Sequence, residues 1–132
     1  MVATAFEFDL PFPPSVNHYW RMWRGRMVIS KRGRAYRESV RSAVGATGIE
    51  AFPIDGLLRV RIEAFPPDRR RRDLDNLLKA VGDSLEHAGV YRDDSQIVWL
   101  LIEKAEVVAG GMVRVTIKPF IKDQGADHDH TA

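Results

Sequence analysis

The sequence predicts one small α+β domain in which a mixed or antiparallel four-stranded sheet carries two helices, in the order β-α-β-α-β-β. Three observations support this. Leu58, Val60, Ile62 and Ala64 alternate strictly with Arg59, Arg61 and Glu63, the pattern of a half-buried strand. Leu74, Leu77, Leu78, Val81 and Leu85 form one apolar stripe at helical spacing. The chain has 132 residues, 45% of them apolar, which is the size and composition of a single globular domain.

Taken in order, residues 2–10 alternate as a first strand, ended by "PFPP", because proline supplies no ladder donor. Residues 15–30 read as a long aromatic and basic loop with room for a short strand at 26–29. Residues 33–44 form the first helix, with Ala35, Tyr36, Val40, Ala43 and Val44 at helical spacing. The strand over 57–65 ends at "FPPD". The second helix spans 73–88, with Asp73 as N-cap and Gly89 as the residue that stops it. Residues 97–102 are apolar on both faces, which predicts a central strand. "AGGM" predicts a hairpin turn into Val113, Val115 and Ile117. The domain is expected over 1–121, with the polar tail 122–132, which carries His128 and His130, disordered.

The net charge is only +2, but its distribution is uneven. Residues 20–41 hold eight Lys or Arg against Glu38 alone, and residues 73–106 hold eight acids against Lys79, Arg92 and Lys104. A basic half beside an acidic half predicts an anionic partner and a group held by the acids. The absence of cysteine excludes disulfides and thiolate metal sites and favours a reducing, cytoplasmic setting. The N-terminus lacks the pattern of a secretory signal, and no apolar run suits a membrane span.

The chemistry concentrates in residues 69–97, where Arg69, Arg70, Arg71 and Arg72 precede Asp73 and Asp75, and Asp93 and Asp94 follow about twenty residues later. At about 100° per residue, Asp75, Lys79 and Asp83 share the helix face opposite the leucines. If the following strand carries Asp93 and Asp94 back beside the helix start, three carboxylates from two elements converge. Hard oxygen ligands at that density suit Mg²⁺ or Mn²⁺. The arginines would neutralise phosphates, and Lys79 would stabilise developing negative charge. Each feature also has a structural reading. Asp73 can be a cap, Asp75 can favour the helix dipole, and Asp93 can be a turn residue. Lys79 can brace Asp75 and Asp83 at i±4. Tyr19, Trp20 and Trp23 among Arg21, Arg24 and Arg26 suit base stacking, a core or a dimer interface equally.

The run "PDRRRRDLDNLLKAVGDSLEHAGVYRDDSQI", with "LPFPPSVNHYWR", "GRAYRESV" and "GG" before the last strand, resembles the RusA family of Holliday junction resolvases over nearly the whole chain to about Phe120. The resemblance implies a homodimeric, Mg²⁺-dependent endodeoxyribonuclease, with Mn²⁺ as a substitute ion. Such an enzyme makes paired symmetric cuts across a four-way DNA junction in recombination and repair. Asp73, Asp75 and Asp94 would then be the metal-site acids and Lys79 the catalytic lysine, with Asp93 beside them and Asp83 supporting the face. Arg69–Arg72 and Lys31, Arg32, Arg34 and Arg37 are the expected DNA contacts. A fork- or flap-selective nuclease of the same fold and a non-catalytic branched-DNA binder are the alternatives; intact acids beside phosphate argue against the latter. Gly82 and Ser84, mid-helix, and the tryptophan-rich segment 19–24 depart from the family pattern.

Overall fold

The computed structural model describes residues 5–121, so the tail and its histidines lie outside the described residues. β1 (Phe6–Leu10) leads to a short helix α1 (Val16–Tyr19), then to β2 (Trp20–Trp23) and β3 (Arg26–Ile29). There follow α2 (Lys31–Ala46), β4 (Leu58–Phe65), α3 (Leu74–His87), a 3₁₀ turn (Asp94–Gln96), β5 (Ile97–Lys104) and β6 (Met112–Pro119). The four-stranded sheet has the order β1-β6-β4-β5. Only β4 and β5 run parallel, so the sheet is mixed.

Alternation makes one face of the sheet apolar. The register aligns Phe8, Val115, Ile62 and Ile102 across all four strands. Helices cover this face, α2 with Tyr36, Val40 and Val44 and α3 with Ala80, Val81 and Leu85, and these side chains close the core. The opposite face carries Asp9, Arg114, Glu63 and Glu103, tied by Arg114–Asp9 at 2.9 Å and Arg61–Glu103 at 2.7 Å. Such exposed pairs are worth about 1 kcal/mol or less each.

Four expectations need correction. The segment 15–30 contains the strand expected at 26–29, but the rest is not a loop: it forms a helical turn and the second strand of a hairpin, giving three helices among the described residues instead of two. Its turn places both Arg24 (φ 50) and Gly25 (φ 76) in the left-handed region, as a two-residue hairpin of type I′ requires. β5 is an edge strand, not a central one, and "AGGM" does not join a hairpin, because β4 lies between β5 and β6. The chain returns over the end of β4 to pair with its other side. α2 starts two residues before the predicted position because Ser30 caps it, its Oγ accepting the Gly33 amide at 2.9 Å.

Gly33 is where α2 touches the preceding helical turn. A Cβ there would fall directly on the Tyr19 carbonyl oxygen and within 2.7 Å of Ile29 Cγ1. Gly45, by contrast, has nothing within 4 Å. Gly33→Ala should therefore lower stability by about 3 kcal/mol, and Gly45→Ala should raise it by about 0.5 kcal/mol. Urea denaturation midpoints measure both, and equal shifts would contradict this packing.

Candidate active site

The β4–α3–β5 crossover builds the site. Because β4 and β5 are parallel, α3 runs back against them, so Asp73 and Asp75 stand at the end where the strands finish and Asp94 stands where β5 begins. Asp73 occupies the N-cap position of α3, yet its side chain makes no capping hydrogen bond. Its carboxylate is exposed and not spent on the helix.

The turn after α3 is tightly specified. Asp93 Oδ1 accepts the Ser95 amide at 3.0 Å, and Gln96 Oε1 accepts the amides of Arg92 (2.9 Å) and Asp93 (3.1 Å). Gln96 Nε2 donates to the carbonyls of Ile54 (2.9 Å) and Gly56 (2.8 Å), which locks the turn onto the loop before β4. Tyr91, buried, donates to the Gly82 carbonyl at 2.9 Å and ties the turn to α3. The Ser95 amide, then the contact with Asp94, holds the Asp93 carboxyl below its usual range.

Glu86 is absent from the set expected above. Its Oε1 accepts the Asp94 amide at 3.2 Å, and Glu86, Asp93 and Asp94 each present a carboxylate oxygen within 4.8 Å of the others. Three exposed hard-oxygen donors at that spacing fit Mg²⁺ or Mn²⁺. The signal was present in the sequence: Glu86 is eleven residues after Asp75, about 20° around the helix, on the same face as Lys79.

Lys79 and Asp94 line one cavity of about 540 Å³, with Trp20, Leu78, Gly82 and the β5 residues Val98, Trp99 and Leu100 on its other walls. Lys79 forms no ion pair with Asp75 or Asp83 among the described residues. Asp73 and Asp75 do not meet Asp94 within the chain. Eleven residues of helix separate Asp75 from Glu86 by about 16 Å along the axis.

The basic residues divide. Arg32, Arg70, Arg71 and Arg72 line a cleft of about 730 Å³ with His18 and Phe12, and Arg69 lines a smaller cavity adjoining it. Arg72 Nη1 also donates to Asp68 Oδ1 at 2.9 Å, and its guanidinium lies 5.2 Å from the Phe12 ring centre. Lys31 and Arg34 are exposed on the first turn of α2. Arg37 turns inward: its Nε and Nη2 meet Asp83 Oδ2 at 2.9 and 2.8 Å, and the buried Tyr19 hydroxyl donates to the same oxygen. Burial, then the Asp83 carboxylate, raises the Tyr19 pKa, so the hydroxyl keeps its proton. Arg37 and Asp83 therefore join α2 to α3, a role that local charge counting does not reveal.

An acidic turn facing a lysine across one cavity, with an arginine-lined cleft on the same small α+β domain, defines the class: a nuclease-type domain built to handle a phosphodiester backbone. The comparisons narrow that class. The family model described as endodeoxyribonuclease RusA matches residues 11–118. The chain is 44% identical over 115 residues to the crossover junction endodeoxyribonuclease RusA proteins of Enterobacteria phage 82 and Shigella sonnei strain Ss046, covering 85% of this chain and 92% of each relative. It is 39% identical over 112 residues to that of Enterobacteria phage HK97, with the same coverage. The chain belongs to the RusA endodeoxyribonuclease family.

Asp83→Ala removes the acceptor shared by Arg37 and Tyr19 and leaves a guanidinium half-buried. It should lower stability by about 2 kcal/mol, read from urea unfolding. A loss below about 0.5 kcal/mol, the level of an ordinary surface change, would show that this junction of α2 and α3 is dispensable.

Proposed function

We propose that the chain is a crossover junction endodeoxyribonuclease that acts as a homodimer with Mg²⁺, Mn²⁺ substituting, and hydrolyses two strands of a four-way DNA junction. The observation that carries this reading is Lys79 and Asp94 on the walls of one cavity, in a chain 44% identical to proteins bearing that name. Asp93 and Asp94, with Glu86 beside them, would contribute to the cation site together with Asp73 and Asp75 brought opposite across a dyad through β5, and the cation when bound polarises a phosphoryl oxygen and lowers the pKa of a bound water. Lys79 places an ammonium where negative charge develops on the phosphate. Arg32, Arg70 and Arg71 keep the backbone in register from the neighbouring cleft, contacts that orient DNA without reading its sequence.

β5 supports the two-fold form. This edge strand exposes Val98 (47%), Leu100 (40%) and Leu101 (39%), side chains on both faces of the sheet. The other edge, β1, alternates buried Phe6, Phe8 and Leu10 with exposed Glu7 and Asp9, the charged pattern that keeps an edge solvated. Antiparallel pairing of β5 with its copy would turn it into the central strand its composition suits. The same pairing sets the beginning of one β5 against the end of the other, so Asp94 of the partner subunit comes level with Asp73 and Asp75. The acids that one helix holds apart are then completed across the dyad.

Sedimentation should give about twice the 15.0 kDa chain mass. Junction, fork, flap and linear duplex cleaved side by side with Mg²⁺ should show the junction cut into nicked duplexes and the linear duplex left whole. Asp75→Asn, Asp94→Asn and Lys79→Ala should each lower single-turnover cleavage by about 10²–10³-fold while junction binding persists. Preferred cutting of flaps would assign the chain to the fork- and flap-selective alternative. Wild-type rates in chelator would remove the cation from the chemistry.

A further inference from the structure

The β2–β3 hairpin stands outside the main sheet, and residues 21–27 are all exposed. Alternation sorts its side chains. One face carries Arg21, Trp23 and Arg26. The other carries Trp20 and Ile29 at the root, packed against the core, and continues outward as the cross-strand pair Met22 and Met27, 61% and 58% exposed. At the tip the Arg24 guanidinium lies 4.4 Å over the Trp23 ring, and Trp23 is itself 43% exposed.

The root is held firmly. The Ser30 amide and hydroxyl both donate to the Tyr19 carbonyl at 2.9 Å, which closes the hairpin base. The Tyr19 side chain, fully buried, reaches Asp83 and Ser84 on α3. Trp20, the first hairpin residue, is a wall of the cavity that holds Lys79 and Asp94. The hairpin is therefore an arm fixed to the candidate catalytic helix and continuous with the candidate active site.

We propose that this arm engages the branch point: Trp23 stacks on a base exposed there, Met22 and Met27 lie against the unstacked base-pair surface, and Arg21, Arg24 and Arg26 hold the flanking phosphates. The inference rests on the resolvase reading and adds the element that tells branched DNA from linear. Nucleic acid fits better than a protein partner because three arginines and no acid lie between Trp20 and Ile29, which matches a polyanion. Aromatic stacking takes any base, and apolar wedges including methionine enter where base steps open. A continuous duplex offers no such step without being unstacked, whereas the centre of an opened four-way junction does.

Fluorescence anisotropy on a synthetic junction and a linear duplex, without divalent metal, tests this. Trp23→Ala should weaken junction binding about tenfold and duplex binding less than about twofold, and Trp23→Phe should recover most of the loss. Arg21→Ala with Arg26→Ala should weaken both and reduce the slope of log affinity against log salt by about 1.8. Equal effects of Trp23→Ala on the two DNAs, or none, would overturn the proposal. So would a Met22→Ser, Met27→Ser double variant that sediments as a monomer, which would make this face a subunit contact. Wild-type protein that binds and cuts duplex as readily as junction would instead refute the resolvase reading, and the arm's role with it.

Discussion

A helix holds its two ends apart, and most of this structure's function is organised around that rigidity. α3 carries exposed acids at both ends, with Lys79 between them, and eleven residues keep Asp75 and Glu86 about 16 Å apart. No rotamer change in one chain closes that gap to the ~2.1 Å that Mg²⁺ asks of each ligand. The crossover topology would let a two-fold axis bridge this separation. Because β4 and β5 are parallel, the two ends of α3 lie at opposite ends of β5, and a dyad through β5 would exchange them.

The same topology leaves β5 in tension with its environment. Its composition suits the interior of a sheet, yet one side of its ladder is open and Leu100 and Leu101 face outward on opposite sides. An exposed apolar edge invites pairing, and the proposed self-pairing would also serve the acids. The buried Tyr19, Asp83 and Arg37 group plays the complementary part. It fastens α1, α2 and α3 together, so the root of the hairpin, α2 and the candidate catalytic helix share one hydrogen-bonded junction.

Much of this was legible in the residues. The alternation of β4 and the leucine stripe of α3 produced elements within a residue or two of those found, because both patterns are local and strong. Spacing drew attention to Asp73, Asp75, Lys79, Asp83, Asp93 and Asp94, and the family resemblance singled out Asp73, Asp75, Lys79 and Asp94 among them; the D-D-S-Q run proved to be a turn in which each residue has a structural task. Of the hairpin only the strand at 26–29 was anticipated, because the turn is Arg-Gly, with a rare positive φ at arginine, instead of the usual Asn-Gly. Glu86 lay on the face already drawn and was passed over because its partners come from a turn seven residues away. Arg37 belonged to a basic run, and only tertiary packing separates a guanidinium paired with Asp83 from one free to meet phosphate. The place of β5 was misjudged for an instructive reason: its apolar residues match the composition of a central strand, and the single chain provides a neighbour on one side only.

The central claim is that the acids at the two ends of α3 work together across a dyad, and a mixture of two inactive variants tests it directly. Asp75→Asn and Asp94→Asn are combined, allowed to exchange subunits, and assayed for nicking of a junction with Mg²⁺. If each site draws Asp75 from one subunit and Asp94 from the other, every mixed dimer has one intact site and one doubly disabled site. Random pairing then restores nicking to about a quarter of the wild-type level. If both acids of a site come from the same subunit, every site in the mixture lacks one acid. Activity no higher than that of either variant alone would then contradict the claim.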